Sequence, residues 1–409
     1  MKDSDFRPSH RSNTLLWIMI GGGVILFLSL GMRQSFGLFQ LPVIEAKGWG
    51  REVFSIAIAI QNVVWGITQP FFGWLADRYG AAKIAVLGGG LYALGLALMA
   101  FPDSQTLLYL GGGLVVGMAL AASSFAVVLG AIGRVAPPER QGMSMGVASA
   151  VGSLGQFLMI PGSSALISMI GWSDAFLVLA FVMLLICICA RSIRTAPAMS
   201  TAAVDHTSAK RAVAEAMGHS GYWLLMAGFF VCGFQITFIA THVVAHVEDS
   251  GLSRSIAAGT LSLIGLGNIV GSYVASALGD KYRRKYLLSI IYALRAAAIL
   301  ALVLMPASPI MSLGFGLVMG LLWLGTVPLT TSLVGQIFGT RYMTTLFGFV
   351  YLTHQMGAAL GVYLGGKVFD DTGSYDTVWL IAAGLGVVAA LLHWPIADKP
   401  LRSIRTASL

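Results

Sequence analysis

Arg33 lies in GGGVILFLSLGMRQSFGLFQL, an apolar run with no acidic residue to neutralise it. A cation at the centre of a membrane-spanning helix costs about 2.5–3.5 kcal/mol on insertion scales, so it is kept where it faces a water-filled cavity or a partner. A guanidinium binds a carboxylate through two parallel hydrogen bonds. Arg33 therefore reads as an anion clamp, or else as a structural cation satisfied by helix-end carbonyls. His354 and Gln355, in YLTHQMGAALG, add a group that donates and accepts at once and titrates near physiological pH. They suit substrate hydrogen bonding or proton coupling, or the fastening of neighbouring helices. Tyr351 precedes His354 by one helical turn and shares its face. His242 and His246 are four residues apart on one face, but Val243 stands where a zinc-protease motif needs Glu. Two ligands do not close a metal site, and none is expected. His242 is expected at the cavity wall and His246 at the outer mouth. Asn62 and Asn268 are further candidates, as substrate contacts or as links between helices.

The elements that carry these residues are membrane spans. The chain is 57% hydrophobic and 10% charged, with a mean hydropathy of +0.82, whereas a soluble domain is about 25% charged. Apolar runs long enough to cross a bilayer fall near 15–41, 53–76, 83–101, 107–133, 142–168, 173–191, 221–246, 255–279, 286–305, 309–338, 343–366 and 376–397. The first reads as an uncleaved span, since no short core and small-residue cleavage site marks a signal peptide. The expected organisation is an N-terminal segment (1–14), a six-helix bundle (15–191), a polar linker (192–220), a second six-helix bundle (221–398) and a tail (399–409). Fifty glycines suit helices packed closely in lipid.

The net charge of +8 resides in short loops rather than in a nucleic-acid-binding patch. Lys47, Arg51, Arg254 and Lys367 fall on one side of the membrane. Arg33 and Arg295 fall inside spans, and every other Lys and Arg falls on the opposite side. That asymmetry places both termini and the linker in the cytoplasm. Cys187, Cys189 and Cys232 all lie in apolar runs and show neither a disulfide framework nor paired zinc spacing. No cofactor motif is present.

The two halves repeat at an offset of 202–203 residues, as expected of transporters. GMRQSF at Gly31–Phe36 matches GFQITF at Gly233–Phe238, which puts Gln235 at the position of Arg33 and makes it a further candidate contact. GWLADRYGAAK at Gly73–Lys83 matches SALGDKYRRK at Ser276–Lys285, and PPERQGMSMG matches GTRYMTTLFG.

Gly73-Trp-Leu-Ala-Asp-Arg-Tyr-Gly80 resembles the loop signature of the major facilitator superfamily between spans 2 and 3, with a degenerate copy around Asp280 between spans 8 and 9. The resemblance covers nearly the whole chain. It implies an all-α fold of twelve transmembrane helices in two pseudo-symmetric six-helix bundles. It also implies a conformational latch in which Asp77 engages a helix N-terminus or a cation, as dipole electrostatics allow. Gly73, Arg78, Gly80, Arg134, Arg140 and Asp280 belong to that expectation. Spans 3, 6, 9 and 12 of such proteins are outer supports, so Arg295 in span 9 is expected to be structural.

GMRQSFGLF, the Gly-Trp before span 2 and PPERQG before span 5 are similar to monocarboxylate and oxalate–formate carriers. Span 8 lacks the Arg and span 11 the Lys common in that branch, and Arg283 stands where the first signature has Gly80. The paired Gly-Pro spacing of drug–proton antiporters is missing from span 5.

The resulting expectation is a monomeric secondary transporter in a bacterial-type inner membrane. It would move small organic anions, monocarboxylates first, by alternating access. No acidic residue lies mid-span, so proton symport would use a histidine or the substrate's own carboxylate, and anion exchange fits equally. A carrier or exporter of a neutral or amphipathic solute is the alternative. A membrane-embedded enzyme or sensor lacks a nucleophile–base pair, a closed metal set or a signalling domain.

Overall fold

The computed structural model describes residues 9–136, 141–194, 206–339 and 343–400, and all regular structure among them is helical. Helix α1 runs Ser9–Ser35 and, after a turn at Phe36, continues as Gly37–Lys47. Helix α2 spans Arg51–Tyr79 and α3 spans Ala81–Ala100. Helix α4 covers 105–135 in pieces, with a π-helical stretch at Tyr109–Val115 and a break at Ser124. Gln141–Met183 is continuous in hydrogen bonding, but Gly171 has φ 80°, a left-handed conformation open to glycine. It separates α5 (141–170) from α6 (172–183), which Leu185–Cys189 extends. A short linker helix, His206–Met217, follows. The second half comprises α7 (Ser220–Asp249), α8 (Arg254–Lys281), α9 (Arg284–Leu304), α10 (Pro309–Leu321 and Thr326–Phe338), α11 (Met343–Thr372) and α12 (Asp376–His393).

Ten stretches among the described residues are long and apolar enough to cross a membrane. One of them, Ser144–Cys189, contains both α5 and α6. Helix α11, which is more polar, is not among them and packs between α7 and α2.

The internal repeat is visible as packing. A Cβ on Gly155 of α5 would overlap the Phe27 carbonyl of α1, and a Cβ on Gly357 of α11 would overlap the Phe230 carbonyl of α7. The partners in these contacts lie 202 and 203 residues apart, the offset read from the sequence. Without side chains at these points, the helix backbones approach closely, which supplies the van der Waals attraction that holds helices together in lipid.

The halves meet along two seams, α2 against α11 and α5 against α8. Two prolines help to build the junction. Proline has no N–H to donate to the carbonyl four residues earlier. Pro42 thus frees the Leu38 carbonyl, which accepts from Arg254 Nη2 of the other half at 3.3 Å. Pro161 frees the Phe157 carbonyl, which accepts from Ser262 Oγ of α8 at 2.9 Å.

The end of the bundle away from the linker is clasped. Arg51 Nη1 and Nη2 donate to the two Asp249 oxygens at 2.6 and 2.8 Å, and Nη1 also donates to Tyr375 Oη at 2.8 Å. The Asp370 carboxylate accepts from the N–H groups of Arg51 and Glu52 at 2.9 and 2.7 Å, capping the N-terminus of α2 from the opposite half. Near the linker end, by contrast, Ile67, Phe71 and Trp74 of α2 are exposed.

Candidate functional site

Arg33 sits two residues before α1 ends at Ser35, and its guanidinium crosses the seam between the halves. Nη2 donates to Asn62 Oδ1 of α2 at 2.9 Å and reaches Thr237 Oγ1 of α7 at 3.4 Å. Its Cζ lies 5.0 Å from the centroid of the Trp65 ring, within cation–π range. Nε has no hydrogen-bond partner among the described residues. Asn62 is held in turn by donating Nδ2 to the Ile58 carbonyl at 2.7 Å, so its oxygen is fixed toward the guanidinium. Arg33 also lines a small cavity with Phe36, Ile58 and Gln61 from one half and Thr237 and Thr241 from the other.

The remaining candidates fall in three places. Tyr351 is near Arg33, its ring 6.0 Å from Trp65 and edge-on to it. His354 stands behind Tyr351, stacked at 5.5 Å, and its Nδ1 lies 3.2 Å from Gln355 Oε1. Arg33, Asn62 and Tyr351 therefore form one cluster, with His354 and Gln355 as its next layer.

Gln235 points elsewhere despite the repeat. It is fully buried, and Nε2 donates to the Ala382 carbonyl of α12 at 2.8 Å. Asn268 lies at the junction of α5, α8 and α10. Its Nδ2 is 3.3 Å from both Ser153 Oγ and Gln156 Oε1, and its Oδ1 accepts from the Leu324 N–H at 3.1 Å, inside the break of α10. His242 is wholly buried beneath the clasp, with Tyr375 Oη 3.0 Å from Nδ1. His246 packs against the Tyr375 and Trp379 rings.

Arg295 uses its donors on backbone. Nε and Nη2 donate to the Leu322 carbonyl at 3.0 and 2.6 Å, Nη2 also meets the Trp323 carbonyl, and Nη1 points to Cys232 Sγ at 3.4 Å. It thus caps the first segment of the broken α10, the favourable place for a cation on the helix dipole.

Of the latch residues, Arg140 lies outside the described residues, as does the side chain of Asp77. Gly80 has φ 95° and makes the tight junction from α2 to α3, while Gly73 faces open space. Arg78 lies over the Trp74 and Tyr79 rings, and Arg134 is in the last turn of α4. Asp280 is exposed, 4.0 Å from Arg284.

The firmer contact of this second signature comes from the residue that departs from the first. Arg283 pairs with Asp398, just beyond α12, at 3.0 and 2.5 Å. The hydrogen bond from Arg283 holds the Asp398 carboxyl below its usual range. Arg284 Nη1 donates to Gln336 Oε1 of α10 at 2.7 Å, and Lys285 Nζ to the Ile396 carbonyl at 2.8 Å.

Sequence reasoning missed Thr237, Trp65 and the Arg51–Asp249–Asp370 clasp. Thr237 lies two residues beyond Gln235 in the same repeated hexapeptide, so the repeat led close to it. Arg51 was legible only as a loop charge, because its three partners come from distant parts of the second half.

Among the described residues, two repeated sets of helices, long and apolar enough to cross a membrane, meet along a polar seam, the architecture of a multi-pass membrane protein. The sequence profile of the Major Facilitator Superfamily matches residues 15–361 and again 225–407. The chain belongs to that superfamily, whose members are transporters rather than enzymes. It is 26% identical over 392 residues to monocarboxylate transporter 13 of Bos taurus, covering 91% of this chain and 88% of the relative. It is 24% identical over 409 residues to the oxalate:formate antiporter of Oxalobacter formigenes, covering 95% and 93%. These likenesses fit the carrier branch suggested by the span 1 and loop motifs. Among solved structures, a D-xylose–proton symporter superposes with a TM-score of 0.74 at 16% identity, over 96% of this chain and 100% of the other, which supports the fold.

Proposed function

We propose that the chain carries small organic anions, monocarboxylates first, by alternating access, and that Arg33 holds the carboxylate. The observation behind this reading is the state of Arg33. It is a guanidinium on the seam between the halves whose hydrogen-bonded partners, Asn62 and Thr237, are neutral and whose Nε has no partner among the described residues. A bound carboxylate supplies the missing countercharge and acceptors. Trp65, Tyr351, Phe36 and Ile58 offer apolar surface to the rest of such a substrate. The names of the two carrier relatives point the same way.

In this reading Thr237, Asn62 and Tyr351 complete the contact layer, and His354 and Gln355 support it. Gln235, Asn268 and His242 shape the protein around the site. The linker end and both termini are cytoplasmic and the clasped end faces outward, following the Lys/Arg asymmetry. The loop with Asp77 acts as the latch on the cytoplasmic side. Transport proceeds by proton symport or anion exchange, in a monomer in a bacterial-type inner membrane.

The test is thermal stabilisation of the purified protein by short monocarboxylic acids and by their neutral amides. The acids are expected to raise the melting temperature and the amides are not, and Arg33→Gln is expected to abolish the shift. Equal stabilisation by acid and amide would replace this reading with that of a neutral-solute carrier.

A further inference from the structure

We propose that His242 is a proton-binding site set between the two halves, and that its protonation releases the clasp at the end away from the linker. The inference uses the movement of the halves but not the anion assignment of Arg33. His242 is wholly buried, and every hydrogen-bonding direction of its ring is engaged. Nδ1 faces Gln40 Nε2 at 3.2 Å and Tyr375 Oη at 3.0 Å. Nε2 faces the Val362 carbonyl at 3.0 Å and Ser55 Oγ at 3.4 Å. Gln40 and Ser55 belong to the first half, and Val362 and Tyr375 to the second, so the ring is pinned by both.

Donor and acceptor roles determine the protonation state of this arrangement. The Val362 carbonyl can only accept, and Ser55 Oγ has its own hydrogen directed to the Arg51 carbonyl at 2.8 Å. Nε2 therefore carries a hydrogen. Nδ1 faces the amide nitrogen of Gln40, which can only donate, and so must itself accept. Tyr375 Oη accepts from Arg51 Nη1 and directs its hydrogen at Nδ1. Burial holds the Tyr375 hydroxyl in its protonated form. The closed clasp is thus matched to a neutral imidazole.

A second proton on Nδ1 needs an acceptor, and one is present. Gln40 is fully buried and its Oε1 has no partner among the described residues. Turning that amide by half a rotation brings Oε1 to Nδ1–H. The Tyr375 hydroxyl then loses its acceptor, and a new positive charge stands one hydroxyl away from the Arg51 guanidinium. The two cations repel in a poorly solvated setting, which weakens the hold of Arg51 on Asp249. The charged and titratable groups around this node are Arg51 and Glu52 of α2, His246, Glu248 and Asp249 of α7, Lys367, Asp370 and Asp371 of α11, and Tyr375 and Asp376 at the start of α12. Arg51 is the cation linked to the ring through a single hydroxyl. The proton comes from the medium at the clasped end when that end opens transiently, and binding it stabilises the open state because only the closed state opposes the charge.

The experiment places spin labels at Lys47→Cys and Asp371→Cys, on opposite halves of the clasped end, with Cys187 and Cys189 replaced by Ser. Label separation is measured by pulsed electron resonance from pH 8 to pH 5, without substrate. The separation is expected to lengthen on acidification in the otherwise unaltered protein and to be independent of pH in His242→Gln. Gln40→Leu removes both the hydrogen bond to the neutral ring and the acceptor that would accommodate the added proton in the closed state, and is expected to reach the same opening in a medium about one pH unit less acidic. No lengthening in the parent, or an unchanged response in His242→Gln, overturns the proposal. Should His242→Gln not fold, a Gln40→Leu curve superimposable on the parent overturns it. Arg33→Gln should keep the response, so failure of the anion reading is distinguishable.

Discussion

Two arginines lie within spans, and their surroundings differ in one decisive respect. Arg295 is fully buried and spends its donors on the Leu322 and Trp323 carbonyls and on Cys232. Arg33 is only partly buried; one nitrogen meets two neutral side chains, and Nε is left over. Both incur the cost of a cation in the membrane, but only Arg295 recovers it from its own backbone. A membrane-embedded arginine is therefore informative about ligands through its unused donors, not through its depth. The break in α10 supplies the carbonyls for Arg295, whereas the turn of α1 at Phe36 gives the Arg33 guanidinium no carbonyl partner among the described residues.

The largest effect that would test this contrast is on stability. Arg295→Met should leave the Leu322 and Trp323 carbonyls without donors, at about 1.5–3 kcal/mol for each charge-assisted bond lost. The expected result is low yield and a strongly lowered melting temperature, with normal ligand affinity in the protein that survives. A melting temperature equal to that of the parent would break the contrast.

Arg33→Gln should behave in the opposite way. Its unliganded melting temperature should match the parent or exceed it, while affinity for an organic anion should fall by about one to two decades, the equivalent of 1.5–3 kcal/mol. Arg33→Lys keeps the charge without the fork, so partial affinity is expected. Equilibrium binding alongside calorimetric melting separates the two outcomes.

A smaller effect is expected from Asn62→Ala, which removes the oxygen that orients Nη2. A net loss of about 0.5–1.5 kcal/mol of binding is expected for one hydrogen bond. The loss should vanish in the Arg33→Gln background, a double-mutant cycle that reports whether Asn62 acts through Arg33.

The smallest effect concerns the ion pair at the linker end. The Asp398 carboxyl is lowered by Arg283, so the pair stabilises the fold above the ordinary carboxylate pKa and loses that contribution as pH falls through the lowered value. Asp398→Asn should lower the melting temperature slightly near pH 7, and the difference should shrink as pH falls through the lowered carboxyl value. The pair is largely exposed on the Arg283 side, so added salt should shrink the difference. A difference that does not shrink on acidification would assign it to lost packing rather than charge.

The spans were legible because hydropathy is a local property. The expected 53–76 and 221–246 are the cores of Arg51–Tyr79 and Ser220–Asp249. The paired loop signatures and the repeated GMRQSF and GFQITF segments pointed to two halves in the same way. The repeat was less informative about side chains. Gln235 occupies the position of Arg33 but bonds to Ala382 on α12, whereas Thr237, two residues on, reaches the guanidinium. Equivalent backbone positions do not ensure equivalent neighbours, since the two halves present different carbonyls and different free space.

Composition and periodicity alone determined that this chain spans a membrane in many helices and carries two costly cations within them, because the energy of placing a residue in lipid depends mainly on its own chemistry. Which cation is satisfied was decided only by the tertiary structure. So was the clasp of Arg51 with Asp249, Tyr375 and Asp370, and so was the polar cage around His242. The clasp and the cage depend on groups from helices 120 or more residues apart in sequence, and no local pattern records whether groups on different helices meet within the 3 Å or so that a hydrogen bond requires.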